Sequence, residues 1–175
     1  MMIRAVIIDL DALISKGSIT PLPGAAERLA HIRAQQLPIA ITTNPNKLIA
    51  HTAEQQATAP DSFSAAARVA ASIKEISHAL DLQQVPWFLS LGDPTTQETM
   101  SAQTYQATIE QIKQEMQSLF PQGALYVSQV TGPAPAMLLA ITQHFQVPPA
   151  ECLYIGTSAM DKQAANAAGL PFELV

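Results

Sequence analysis

The feature that most constrains what this chain can fold into is an alternation kept up along its length. Short apolar runs of strand length are each followed by a segment whose apolar residues recur at helical spacing. The first run, Ala5-Val6-Ile7-Ile8 within residues 3–8, has no polar position and is closed by Asp9. A strand that is apolar at every position must be buried on both faces, as strands of a parallel sheet covered by helices are. Residues 38–42, 86–91, 124–130, 152–155 and 172–175 read as further strands. A helix is expected at 25–35, with Ala25, Leu29 and Ile32 on one face. Others are expected at about 62–80, with Ile73, Ile76 and Leu80 in the stripe and Asp61 as N-cap, and at about 102–120, with Tyr105, Ile109, Ile112 and Met116. Two more fall at 135–145, stopped before Pro148-Pro149, and at 159–168, closed by Gly169. Pro21 to Gly24 reads as a turn, and 54–60 and 92–100 as polar loops. The pattern predicts an α/β fold, a three-layer sandwich with a mainly parallel sheet between two helical layers. Such sheets bind ligands beyond the carboxyl ends of their strands, so the residues that close each strand become the candidates for function.

Composition narrows the possibilities. A chain of 175 residues suits one domain, 1–175. At that length roughly 70% of the unfolded surface can be buried. Charged residues are 13% of the chain, against a usual ~25%, and the net charge is −5. The nine Lys and Arg are scattered, which argues against a footprint for duplex nucleic acid. Cys152 is the only cysteine, so an intrachain disulfide is excluded and a reducing, cytoplasmic setting is expected. No apolar run approaches the ~20 residues of a membrane span, and Met1-Met2-Ile3-Arg4 leads directly into a strand without a signal-type apolar region. His31, His51, His78 and His144 show no ligand spacing, and Cys152 and Trp87 read as core residues.

Four strand-closing segments carry chemistry. The first strand ends in Asp9-Leu10-Asp11, and the second in Thr42-Thr43-Asn44. Gly132-Pro133-Ala134-Pro135 opens the fourth helix, and Gly156-Thr157-Ser158-Ala159-Met160-Asp161 joins the last buried strand to a small-residue helix. In this order, each after the right element, these segments resemble the four motifs of the haloacid dehalogenase (HAD) superfamily. Residues 21–44 resemble the usual link between the first two motifs, whereas about 50–128 match loosely. Gly132 stands where the family has a lysine, Thr157 where it has the first acid of the fourth motif, and Leu13 where Thr or Val is usual.

The resemblance implies a Rossmann-like, HAD-like sheet and phosphomonoester hydrolysis through an aspartyl-phosphate. Asp9 would be the nucleophile and Asp11 the general acid and base. Thr43 and Asn44 would bind phosphate, and Mg²⁺ would be held by Asp9, the backbone carbonyl of Asp11, and Asp161. With Gly132 and Thr157 at degenerate positions, reduced or altered activity is expected. The alternative is an inactive HAD-fold protein that binds a phosphorylated ligand or a protein partner. Lys47 and Lys162 are candidates for a replacement cation. The substrate would be a phosphorylated small molecule or macromolecule. Between Asp11 and Thr43 there is room for one helix, so no large first-type cap is expected. About 92–123 has room for a small insertion or lid, and a second copy of the chain is another way to close an open cleft. Plainer readings stand beside these: Asp9 and Asp11 as loop acids, Thr43 and Asn44 as turn residues, and Asp161 as a helix N-terminal acid favoured by the macrodipole.

Overall fold

The structure is a computed structural model and describes residues 2–15, 19–43, 65–90, 110–111, 114, 125–128 and 135–175. The run that opens the chain forms β1 (Ala5–Asp9), buried over its first four residues. The second run forms β2 (Ile39–Thr43), buried at every position. Four more strands follow: β3 (Trp87–Ser90), β4 (Leu125–Ser128), β5 (Cys152–Gly156) and β6 (Phe172–Leu174). They form one six-stranded sheet in the order β4-β3-β2-β1-β5-β6. Every neighbouring pair is parallel. The chain steps outward from β1 to β4, then returns to add β5 on the other side of β1. The order therefore reverses at β1, and the carboxyl end of that strand is the switch point at which open α/β sheets bind their ligands.

The strand pleat sorts apolar side chains onto two faces. On one face Val6, Ile8, Ile39, Ile41 and Leu89 pack with helices α1 (Ala25–Ala34) and α2 (Ala65–Leu80), through Leu29, Ile32, Ile73 and Ile76. On the other, Ala5, Ile7, Ala40, Phe88 and Tyr154 pack with α3 (Pro135–Phe145) and α4 (Ala159–Ala168), through Leu138, Ile141 and Ala165. This is the expected three-layer α/β/α arrangement. No helix of the described residues is long and apolar enough to cross a membrane.

Strand ends depart from the expected ones by a residue or two. β1 begins at Ala5 rather than residue 3, and it includes Asp9, which pairs with Thr42. β2 runs on to Thr43, and β5 to Gly156, which pairs with Leu174. Backbone pairing sets a strand's end, and it continues past the last apolar side chain. The helices at 135–145 and 159–168 stand as expected. Of the helix expected at 102–120, residues 110–111 and 114 are described and are helical. The rest of that segment, most of the supposed lid at 92–123, and Asp61 lie outside the described residues. A short device after β1 was not anticipated. A 3₁₀ turn at Leu10–Ala12 leads into a hairpin in which Ile14 bridges Pro21 and the Leu22 amide donates to the Leu13 carbonyl at 2.8 Å.

Gly169 ends α4 in the left-handed region, at φ 78°. A Cβ there would lie 4.0 Å from Pro149, so no clash opposes a side chain and the backbone conformation alone does. Gly169→Ala is expected to cost about 1 kcal/mol, seen as a lower urea midpoint at unchanged m-value.

Candidate active site

Asp9 is both the last residue of β1 and the N-cap of the 3₁₀ turn. Its Oδ1 accepts the Asp11 amide at 2.8 Å, which orients the carboxylate at the strand tip. Asp9 and Asp11 are both half-buried. On the neighbouring strand Thr42 lies opposite Asp9, so the pleat puts the two side chains on the same face of the sheet. Thr43, one residue on, belongs to the alternate face. Both threonines are buried, and the Thr42 hydroxyl lies beside the Tyr154 phenol.

The far side of the site is built by β5 and the first turn of α4. Ser158 caps the helix: its hydroxyl accepts the Asp161 amide at 3.1 Å, while Asp161 Oδ2 accepts the Ser158 amide at 3.0 Å. This reciprocal pair is a capping box. The same Oδ2 also accepts the Thr157 amide at 3.0 Å. Asp161 is 4% exposed, and its carboxylate reaches the strand end because Gly156 leaves space for it. A Cβ on Gly156 would sit 2.7 Å from Asp161 Cβ and 2.9 Å from both Cγ and Oδ2.

Tyr154, two residues before Gly156, closes the arrangement from below. It is fully buried on the face of Asp9. Its hydroxyl donates to Asp161 Oδ1 at 3.1 Å and lies 3.5 Å from Asp9 Oδ2, the outer limit for a hydrogen bond. Burial, then the charge of Asp9, then that of Asp161 hold the phenol far above its ordinary pKa, so it stays protonated and remains a donor.

The structure therefore brings Asp9, Asp11, Thr43 and Asp161 to one end of the sheet. Thr157 is partly exposed and contributes its amide to Asp161. Asn44, Gly132 and Lys47 lie outside the described residues, and Lys162 is exposed on α4. Sequence reasoning missed Thr42 and Tyr154. Thr42 was open to discovery, because strand alternation pairs it rather than Thr43 with the face of Asp9. Ser158-x-x-Asp161 is likewise a readable capping signature. Nothing in the run Cys152-Leu153-Tyr154-Ile155 marks the phenol as more than a core ring.

The other candidate groups lie elsewhere or are inert. His31 pairs with Gln35, His78 with Gln83, and His144 stacks edge-on against Phe88. A groove of about 590 Å³ lies beside α1, floored by Val6, Leu153 and Ile155, and shares no residue with this site. Burial pushes the Cys152 thiol up to about 12, so it carries no thiolate at neutral pH.

For a divalent cation the question is which oxygens the fold has already engaged. Asp161 has both of its oxygens hydrogen-bonded within the fold. Among the described residues no group of three or more His, Cys, Asp or Glu side chains is placed to hold a metal ion. Mg²⁺ asks for less, because it keeps several waters and is commonly bound by one or two carboxylates and a substrate phosphate. The Asp9 carboxylate and the backbone carbonyl of Asp11, two hard-oxygen donors at one strand tip, fit that smaller requirement.

No protein-family model matches the chain, and no curated protein sequence matches it. Solved structures do. NagD from E. coli K-12 aligns over 100% of this chain and 88% of its own, at 18% identity and a TM-score of 0.50. A p-nitrophenyl phosphatase from Archaeoglobus fulgidus aligns over 99% and 86%, at 12% identity and a TM-score of 0.49. An L-2-haloacid dehalogenase from Xanthobacter autotrophicus aligns over 99% and 78%, at 16% identity and a TM-score of 0.43. The protein has a HAD-like fold. At these identities the likeness concerns the fold alone.

Two outcomes are expected from this geometry. Gly156→Ala should destabilise the protein by about 1–3 kcal/mol, because the added methyl must displace the Asp161 carboxylate or the first turn of α4. Chemical denaturation measures it, and an unchanged midpoint would contradict the close approach. Cys152 should resist Ellman's reagent in the native protein and react stoichiometrically once denaturant unfolds the chain.

Proposed function

We propose that this protein is a HAD-like phosphohydrolase that cleaves a phosphomonoester through an aspartyl-phosphate on Asp9, with reduced or altered activity. The observation that carries the reading is the Asp9 carboxylate, held by the Asp11 amide at 2.8 Å on the tip of the central strand, at the switch point of the sheet. The tip of a strand at a switch point is where open α/β sheets of this kind bind their ligands.

In this reading an Asp9 oxygen attacks phosphorus as the P–O bond to the leaving group breaks. Asp11 gives its proton to the departing oxygen. Asp11 then takes a proton from water, the water oxygen attacks the acyl-phosphate, and inorganic phosphate leaves with Asp9 restored. Thr43, and with it Asn44, would donate hydrogen bonds to the phosphate. Mg²⁺ would be held by Asp9 and the backbone carbonyl of Asp11, with Asp161 engaged by its three donors beside them, and would supply positive charge beside the phosphate oxygens. The reduction in activity follows from Gly132 in place of a lysine. Loss of one electrostatic stabiliser typically costs about 10²–10³ in rate. The substrate would be a phosphorylated small molecule or macromolecule, and a cytoplasmic setting suits the lone buried Cys152.

A second reading has its own observation. Asp161 is engaged by three donors inside the fold, and Thr157 offers no carboxylate beside it. Such a site suits a non-catalytic HAD-fold protein that binds a phosphorylated ligand or a protein partner. Turnover of p-nitrophenyl phosphate and a panel of phosphorylated metabolites, with and without Mg²⁺, separates the two. The hydrolase reading expects Mg²⁺-dependent phosphate release that falls to background in Asp9→Asn. It is abandoned if the folded wild-type protein releases no phosphate from any substrate, or if Asp9→Asn is as active as wild type.

A further inference from the structure

Asp9 and Asp161 come from opposite ends of the chain, and one side chain touches both. The Tyr154 hydroxyl is 3.1 Å from Asp161 Oδ1 and 3.5 Å from Asp9 Oδ2. Its ring has no freedom to turn away, being fully buried and packed edge-on against Phe172 with centroids 5.8 Å apart. Asp161 is fixed from behind by the amides of Thr157 and Ser158 and by the missing Cβ of Gly156. Two carboxylates drawn to one point repel, and something must lie between them. A shared divalent cation is one solution; a neutral donor hydroxyl is another. A phenol has a single proton, so it bonds one carboxylate fully, here Asp161, and the other at the limit of reach.

We propose that the Tyr154 hydroxyl bridges Asp9 to Asp161 in the role a shared cation would otherwise take. Asp161 is thereby kept out of the coordination of any Mg²⁺ at Asp9 and Asp11, and the site binds Mg²⁺ more weakly than it would without the hydroxyl. Tyr154 is on this account a positioning residue. The inference shares the location of the proposed hydrolase site but concerns cation affinity, so it can fail while turnover is observed and hold while none is.

The test is calorimetric titration of the metal-stripped full chain with Mg²⁺ alone, without substrate, supported by the Mg²⁺-induced shift in Tm. Tyr154→Phe keeps the ring and its packing while removing the bridge. It should bind Mg²⁺ about tenfold more tightly than wild type and show a larger rise in Tm on adding the ion. Asp161→Asn, made in the wild-type background, should leave Mg²⁺ affinity within about twofold, because a carboxylate that is not a ligand is not missed. The proposal is overturned if Tyr154→Phe binds Mg²⁺ no more tightly than wild type, or if Asp161→Asn weakens binding about tenfold. Should Tyr154→Phe fail to fold, Tyr154→Leu, which also removes the hydroxyl, takes its place with the same two outcomes. Should wild-type binding be too weak to measure, measurable binding by Tyr154→Phe supports the proposal and its absence overturns it.

Discussion

The enclosure of β1 is the constraint on which the rest of the molecule depends. Its backbone is paired on both edges, to β2 and β5, and helices cover both of its faces. A strand in that position has nowhere to put an ionised group except at an end. Ala5 through Ile8 obey this, and Asp9 is the first position where the wall opens. Because all neighbours run parallel, the carboxyl ends of β1, β2 and β5 emerge on one side. Asp9, the two threonines and the Gly156–Asp161 segment are therefore gathered by topology, with no long loop needed to carry any of them to the others.

That dependence explains what could be read in advance. The architecture was legible because solid apolar runs, helical stripes and stop residues such as Pro148 and Gly169 all agree. Strand ends were less so: Asp9 and Gly156 belong to their strands through backbone pairing, which side-chain polarity does not report. Asp9, Asp11, Thr43 and Asp161 could be picked out by the order of their motifs, but motif order says which residues close strands and not which way they face. Thr42 shows the difference, since the pleat and not proximity in sequence assigns it to the face of Asp9. Tyr154 lay beyond sequence reasoning altogether. Its ring is an ordinary core element, and the reach of its hydroxyl exists only once β5 and α4 are in place.

Asp161 carries two readings that the structure lets stand together. It is the plain helix acid, completing a capping box that ties the entry of α4 to the end of β5. It is also a charged group at the site, linked through a phenol to Asp9. Burying such a carboxylate is expensive unless it is hydrogen-bonded, and three donors supply that need. Two ion pairs lie apart from this chemistry. Arg4–Glu151, at 3.2 Å, fastens the start of β1 to the approach to β5, and Arg28–Glu173, at 2.6 Å, links α1 to β6. Both are exposed enough to contribute little to stability.

The pairing of Ala5 with Cys152 also sets an order of events during synthesis. β1 leaves the ribosome long before β5, the neighbour that seals its second edge. Throughout that interval the growing chain presents an apolar strand with an open flank, the kind of surface that recruits chaperones or other nascent chains. The acidic site has no form before that point, because one of its walls does not exist until Gly156 to Asp161 have been added.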